Sequence, residues 1–345
     1  MIDRATKRLK QAARSLQKRF TTSAVILHYH RVAELSADPF LLSVTPRSLE
    51  EHLQVVKTLG QTVSLAKLTN ALQRGKLPRR AIVVTFDDGY ADNLHHARPL
   101  LERHGVPATV FVATGAVESQ REFWWDELER LVLEPGELPR QLQLKVNGSV
   151  QQWELGAAAV YTEDDRRRHC AWTLATKSDP SLRHRVLREL YERIYPLHDA
   201  EKWRVLDELA THSSLGRNTR PTHRPMRGDE IVELARGGLI DIGAHTNTHT
   251  PLTSLRPAEQ RQEIEGSKTY LEQILSRPVT SFAYPHGLFT AETVEVLRQV
   301  GITCACTTSP GPVRRNSNLL CLPRLLVMNW SGEQLAEHLE HWFTE

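Results

Sequence analysis

Two adjacent carboxylates end an apolar run in "VVTFDDGYADN", where Asp87 and Asp88 stand between Phe86 and Gly89. Neighbouring carboxylates repel each other, and burial would raise the pKa of at least one of them unless a cation is present. A metal ion is therefore one interpretation. The other is an Asp-Asp-Gly turn that closes a strand, and the dipeptide alone leaves both open.

A second set of metal-ligating side chains lies in "GAHTNTHTPL", where His245 and His249 are four residues apart. Imidazoles at this separation converge on one ion either on a helical turn or in a tight loop. Two histidines and one carboxylate form a familiar ligand set for a catalytic divalent ion, because they leave positions open for water and substrate. One aspartate of the pair would bind the ion and the other would remain for chemistry.

The elements that must position these residues alternate between strand and helix. Buried strands are predicted at 24–27, at 81–86, in "ATVFVAT" and in the run that ends at Gly243. Helical patterns follow in "TPRSLEEHLQVVKTLG", "SLAKLTNALQRG", "NLHHARPLLERHG" and "DEIVELARGG". This order indicates an α/β fold, with a parallel sheet or barrel and crossover helices.

The alternation is interrupted between about residues 117 and 227, a charged and mostly helical region. Within it, Asn147 and Gly148 separate two alternating runs, which is the strongest short-range signal for a β-hairpin. We expect this region to be an insertion packed over one end of the core.

Composition excludes several classes of protein. The chain has 345 residues, 40% hydrophobic and 25% charged, which is enough for one large domain with an insertion. The net charge of +3 and the lack of an interleaved aromatic and basic pattern argue against nucleic acid as a partner. The four cysteines show neither zinc-ribbon spacing nor a disulfide framework, which fits a reducing compartment.

Residues 1–22 are predicted to form a basic amphipathic helix, with seven basic residues and one acidic residue among the first twenty. They lack the continuous apolar stretch of a signal peptide, so the expected location is cytoplasmic. Two interpretations stay open. Residues 1–20 lie on the inner membrane face as a peripheral contact, or they dock on the body of the protein.

The motifs "TFDDGY", "HTNTH" and "FAYPHG" resemble the successive motifs of the polysaccharide deacetylase family, carbohydrate esterase family 4. "LHYHRV" is similar to an N-terminal element of a circularly permuted branch that acts on exopolysaccharides. The resemblance implies a distorted (β/α) barrel of seven or eight units over residues 23–345. It places the motifs at the carboxyl ends of strands, where barrel enzymes keep their sites.

By this resemblance, Asp88, His245 and His249 bind one divalent ion and Asp87 is the general base. Zinc is the expected ion, with cobalt, nickel and manganese as alternatives. The ion would lower the pKa of its water, so that a free carboxylate beside it takes a proton near pH 7.

The resemblance also implies the remaining roles. The backbone amide of His286 would bind the oxyanion, with Tyr284 and Pro285 in the same substrate-binding motif. His30 is the expected general acid, and we expect His28 to point to the opposite face. Phe282 and Ala283 occupy the place where many members carry an arginine that holds the base, so Arg324 in "LPRLLV" is the candidate replacement.

Aromatic residues open the predicted insertion. Trp124 and Trp125 would either stack on sugar rings or anchor the insertion to the barrel.

The predicted function is metal-dependent hydrolysis of an N-acetyl group from an amino sugar, such as N-acetylglucosamine, in a glycan or glycan precursor. The partner would be an N-acetylated sugar or surface glycan. Two alternatives stay open: a hydrolase of another acyl amide, and a glycan-binding relative without turnover.

Overall fold

The apolar runs of the sequence form the strands of one parallel sheet. The computed structural model describes residues 23–119 and 121–344. Within these residues the strands β1 to β14 are Ala24–Tyr29, Arg31–Val32, Ser43–Val44, Gln61–Thr62, Ala81–Phe86, Ala108–Val112, Gly136–Glu137, Gln141–Val146, Ser149–Glu154, Val160–Tyr161, Ile240–Ala244, Ser281–Ala283, Cys304–Cys306 and Leu325–Leu326.

Helices connect these strands and cover the sheet. The α-helices α1 to α11 of the described residues span Pro46–Leu59, Leu65–Gln73, Arg98–His104, Trp124–Leu133, Glu163–His169, Leu182–Ile194, Asp199–His212, Gly228–Leu234, Pro257–Leu275, Ala291–Gln299 and Gly332–Trp342. None of them combines the length and apolar character that a membrane span needs.

The main sheet has the order β13-β12-β11-β6-β5-β1-β14, and β4 joins the start of β5. All of these pairs are parallel, so the carboxyl ends of the strands meet at one edge. Every residue of β1 and β5 is buried, which explains why both read as continuous apolar runs.

The two end strands are bridged by residues 319–322. The backbone amide of Ala305 donates to the carbonyl of Leu319, and the backbone amide of Thr307 donates to the carbonyl of Leu322, each at 2.8 Å. The chain then enters β14, which pairs with β1. The sheet therefore curls into a distorted barrel, and the predicted α/β fold class is confirmed.

Side chains alternate between the outside and the inside of this barrel. In β1, Val25 and Leu27 pack in the cluster under the helices, whereas Ala24 and Ile26 belong to an inner cluster. The same alternation in β5 places Val83 inside. Along each strand, every second side chain points inside the barrel and forms what we call an inner row. Residues that continue an inner row past the end of its strand therefore point into the opening at the carboxyl end of the barrel.

Residues 117–227 contain their own hydrophobic cluster, built mainly from α4, α6, α7 and the hairpin of β8 and β9. The predicted hairpin is confirmed. Asn147 and Gly148 form its turn with φ of 49° and 77°, as a two-residue turn of the primed type requires. The predicted helix at residues 1–22, with its membrane contact, lies outside the described residues and stays a prediction.

Candidate active site

A cavity of about 430 Å³ opens at the carboxyl ends of the parallel strands. It brings together side chains from the ends of β1, β5, β11 and β12 with others from the loop before β3, from α4 and from α6. The titratable side chains that line it are His28, His30, Asp87, Asp88, Tyr191, His245, His249 and His286.

Asp87 is held by a buried arginine. Arg324 donates from Nη1 to Oδ1 at 2.7 Å and from Nη2 to Oδ2 at 2.6 Å, the bidentate geometry of a strong pair. Its Nε donates to the carbonyl of Thr307 at 2.9 Å, which orients the fork. Burial by itself would raise the pKa of Asp87, but the charge of Arg324 opposes this and the pKa lies well below its usual range. The predicted contact is present, and Asp87 is ionised.

Asp88, His245 and His249 form the expected ligand cluster. Oδ1 of Asp88 lies 3.3 Å from Nε2 of His249 and 3.6 Å from Nε2 of His245. One ligand atom from each residue lies within 4.8 Å of the others. Oδ1 of Asp88 is buried and has no hydrogen-bond partner among the described residues, which suits an oxygen that faces a cation.

Surrounding contacts prepare the two imidazoles as ligands. Nδ1 of His245 lies 2.7 Å from the carbonyl of Ala283, so Nδ1 carries the proton and Nε2 is free to bind an ion. Burial lowers the pKa of His245, but Asp87 and Asp88 outweigh it and raise the pKa overall. Burial lowers the pKa of His249 well below its usual value, so that ring is neutral. The residues fit a divalent ion.

The backbone at the cluster is strained. Asp88, Thr246 and His249 have φ of 72°, 65° and 55°, a region that residues with a Cβ seldom adopt. Such conformations gather at functional sites because the surrounding structure must enforce them. The side chains of Asp88 and His249 point into the cavity, whereas the buried Thr246 hydroxyl accepts from the backbone amide of His249 at 3.1 Å.

His30 and His28 both face the cavity. Burial, and next the proximity of His28, lower the pKa of His30 to about 4. Nε2 of His28 lies 2.8 Å from Oδ2 of Asp87, and the His28 and His30 rings are 4.4 Å apart. The expectation that His28 points away was wrong, because residues two apart in a strand share a face.

The third motif divides between cavity and core. The ring of His286 faces the cavity 4.6 Å from that of His249, and its backbone has φ of 56°. Burial lowers the pKa of His286 to about 3. Tyr284 is fully buried, and its hydroxyl donates to the carbonyl of Leu320 at 2.7 Å. Tyr284 and the buried Pro285 therefore do not line the cavity, which corrects their assignment to substrate contact.

The two tryptophans have different positions. Trp125 lines the cavity, and its ring is 4.9 Å from that of His249. Trp124 is 2% exposed and stacks on Tyr191 at 5.2 Å, inside the cluster of residues 117–227. Trp124 thus anchors this region, whereas Trp125 forms a cavity wall.

Sequence reasoning missed the apolar wall of the cavity. Tyr191 comes from α6, and its ring is 5.5 Å from that of Phe40, which lies in the loop before β3. Leu42 and Leu174 complete this side. No local pattern marks these residues, because separate loops and helices bring them together only in the folded chain.

Comparison with known proteins identifies the family of the chain. The sequence profile of the polysaccharide deacetylase family matches residues 74–138 and 188–305, more than half of the chain. The unmatched residues 139–187 fall within the region 117–227.

The curated relatives match either most of the chain or a short part of it. A poly-beta-1,6-N-acetyl-D-glucosamine N-deacetylase of Staphylococcus aureus is 28% identical over 328 residues, which cover 91% of this chain and 82% of that protein. The Escherichia coli K12 protein of the same name is 36% identical over 86 residues, 24% of this chain and 13% of that protein.

Solved structures share the fold. The Streptococcus pyogenes deacetylase PplD, in complex with acetate, superposes with a TM-score of 0.56 at 20% identity, covering 92% of this chain and 98% of that chain. IcaB from Ammonifex degensii gives a TM-score of 0.55 at 18% identity, covering 92% and 97%. With the profile match, these findings show that the chain belongs to the polysaccharide deacetylase family.

Proposed function

We propose that this protein hydrolyses the N-acetyl group of an amino sugar, with N-acetylglucosamine polymers as the preferred class, and releases acetate with the help of one divalent ion. The observation that carries the proposal is the pairing of an ionised, arginine-held Asp87 with the adjacent cluster of Asp88, His245 and His249. A base beside a cation site is an arrangement that can hydrolyse an unreactive amide, because the base activates water and the cation polarises the carbonyl.

Asp88, His245 and His249 would hold the ion, for which zinc is the first choice. When bound, the ion polarises the acetyl carbonyl and makes water easier to deprotonate. The remaining tasks belong to the chain itself.

Asp87 would take the proton from the attacking water, since the charge of Arg324 keeps its carboxylate in the accepting state. His30 would hand a proton to the departing amine nitrogen. Because burial lowers the pKa of His30 to about 4, the resting ring is neutral, and it would pass to the amine the proton that Asp87 removes from water. The backbone amide of His286 would donate to the oxyanion.

The cavity walls support a sugar substrate. Trp125, Tyr191 and Phe40 offer aromatic surface for the apolar face of a pyranose and exclude water from the reacting amide. The volume of about 430 Å³ falls in the range of pockets that enclose small ligands. The name of the Staphylococcus aureus relative supports N-acetylglucosamine as the sugar to test first.

The test is acetate release from N-acetylglucosamine oligomers and generic acetyl substrates, with wild type and Asp87→Asn compared. Each protein is stripped of metal and then reloaded with zinc or cobalt. We expect metal-dependent release by wild type. Asp87→Asn should keep one bound ion but lose at least about a hundredfold in rate, since a positioned base contributes 10²–10⁴-fold.

Release by the metal-free protein, or undiminished release by Asp87→Asn, would contradict the proposal. Stoichiometric metal binding without release from any substrate would favour the non-catalytic glycan binder. Release confined to generic amides would favour a hydrolase of another acyl amide.

A further inference from the structure

We propose that His28 is a positioning residue of the active site, which sets the placement of Asp87 and His30 relative to each other. This inference rests on the proposed function. His28 lies in β1, is 3% exposed, and reaches Asp87 with Nε2 2.8 Å from Oδ2.

Strand register brings the two residues together. His28 pairs with Thr85 across β1 and β5, and the backbone amide of Asp87 donates to the carbonyl of Tyr29 at 2.9 Å. His28 and Asp87 thus continue neighbouring inner rows of the barrel. The contact is set by the sheet itself and not by a mobile loop.

The contact adds a constraint that Arg324 does not supply. The arginine fork holds one edge of the carboxylate through both oxygens. His28 approaches Oδ2 from the neighbouring strand, so the carboxylate is restrained from a second direction. Burial, and next the charge of Arg324, lower the pKa of His28, so the ring is a neutral imidazole. Its Nε2 lies in polar contact with Oδ2 of Asp87 at 2.8 Å, although the angle is not that of a hydrogen bond.

The other side of the ring contacts the expected acid. The centroids of the His28 and His30 rings are 4.4 Å apart, with an angle of 45° between the ring planes. One side chain therefore touches both groups that must exchange protons with the substrate. A shift of His28 would move the base and the acid relative to the same reacting atoms.

A purely structural role would not explain a histidine here. The rest of the strand, "AVIL" and the following Tyr29, is apolar or aromatic. Both ring nitrogens of His28 are buried without a hydrogen bond among the described residues, which costs stability that leucine would not cost. The polar ring is retained at a cost to packing, as expected of a functional group.

A second cation held by His28, His30 and Asp87 is the competing explanation, because their ligand atoms also lie within 4.8 Å of one another. Arg324 argues against it. Its guanidinium already neutralises Asp87 at 2.6 Å, and a cation at this carboxylate would face that buried positive charge.

The test compares His28→Leu, His28→Gln and the matched control His52→Gln in the full-length, metal-loaded protein. The glutamine of His28→Gln keeps a donor near the position of Nε2, which leucine lacks. His52 is also fully buried, yet its ring contacts the hydroxyl of Tyr29 and the carbonyl of Trp330, away from the cavity.

We expect His28→Leu to lower kcat for acetate release about 10- to 100-fold, the effect of a small misplacement of reacting groups, with KM changed less than about threefold. His28→Gln should recover at least part of kcat. His52→Gln should lower Tm and leave kcat unchanged. Metal content should stay at one ion per chain in every variant.

A kcat for His28→Leu within about twofold of wild type would overturn the inference, and so would loss of a second ion. If wild type itself releases no acetate, the proposed function fails separately. The contact is then judged by Tm in His28→Leu, Asp87→Asn and the double variant. Shifts that simply add would overturn it, because contacting residues give non-additive effects.

Discussion

At the residue scale, Asp87 combines burial with full ionisation. Its side chain is 3% exposed, and each of its carboxylate oxygens accepts a hydrogen bond from the guanidinium of Arg324. A buried carboxylate without that partner would be protonated near neutral pH and could not accept a proton from water. Arg324 supplies that partner, although it lies 237 positions further along the chain.

This argument predicts that Arg324→Lys lowers kcat at least about tenfold, because lysine keeps the charge but loses the fork that fixes the carboxylate. The measurement is kcat for acetate release together with Tm. Arg183→Lys is the matched control, since Arg183 is equally buried and donates to four backbone carbonyls, those of Val132, Gly136, Ala158 and Ala159.

The control should lose stability and keep kcat within about twofold. Equal losses of kcat in both variants would show that any buried arginine matters only for folding.

At the element scale, the turn after β5 places Asp87, the proposed base, directly before Asp88, the proposed metal ligand. Asp87 continues the inner row of the strand, and Asp88 with φ of 72° reverses the chain direction. Gly89 follows with φ of 86°, and a Cβ there would lie 3.0 Å from Cγ1 of Val112 in β6. The tight turn therefore depends on glycine twice, for its backbone conformation and for its contact with the next strand.

Gly89→Ala should destabilise the protein by about 2–3 kcal/mol, from the left-handed backbone and the contact with Val112. It should also weaken zinc binding, because the shift moves Asp88. Gly105→Ala is the matched control: its φ is 61°, but a Cβ there would meet nothing within 4 Å.

We expect the control Gly105→Ala to lower the free energy of unfolding by about 1 kcal/mol and to leave the zinc affinity unchanged. Urea unfolding and zinc titration of both variants check this. Normal zinc affinity in Gly89→Ala would mean that the turn tolerates the shift.

At the scale of the whole molecule, stability is coupled to pH through buried histidines outside the cavity. Burial, and next the proximity of His169, lower the pKa of His184 to about 4, and its ring packs 4.7 Å from that of Trp172 in the cluster of residues 117–227. The unfolded chain binds a proton at this residue below about pH 6.5, whereas the folded chain does not. The stabilisation of the folded state by the neutral His184 ring is therefore fully present above pH 6.5, and it is lost as pH falls towards 4.

His184 should therefore lower the free energy of unfolding by about 2 kcal/mol between pH 7 and pH 5. His184→Phe, which does not titrate and suits the aromatic neighbours, should flatten this dependence. The free energy of unfolding in urea at pH 7, 6 and 5 measures it. The exposed His212 supplies the control variant His212→Gln, and equal slopes for all three proteins would contradict the assignment.

Much of this protein follows from the sequence alone. The strand runs, the hairpin at Asn147 and the alternation that indicates a parallel α/β fold are local patterns, and the structure contains each of them. The cluster of Asp88, His245 and His249 was also predictable. Its residues directly follow strands whose carboxyl ends must meet in a parallel sheet, so short motifs sufficed to place them.

The tertiary structure decided the rest. It placed Tyr284 in the core, separated the roles of Trp124 and Trp125, and turned His28 towards Asp87. It also assembled the apolar wall of the cavity from distant loops and helices. These outcomes depend on strand register, side-chain direction and packing between segments far apart in sequence, and a linear motif contains none of that information.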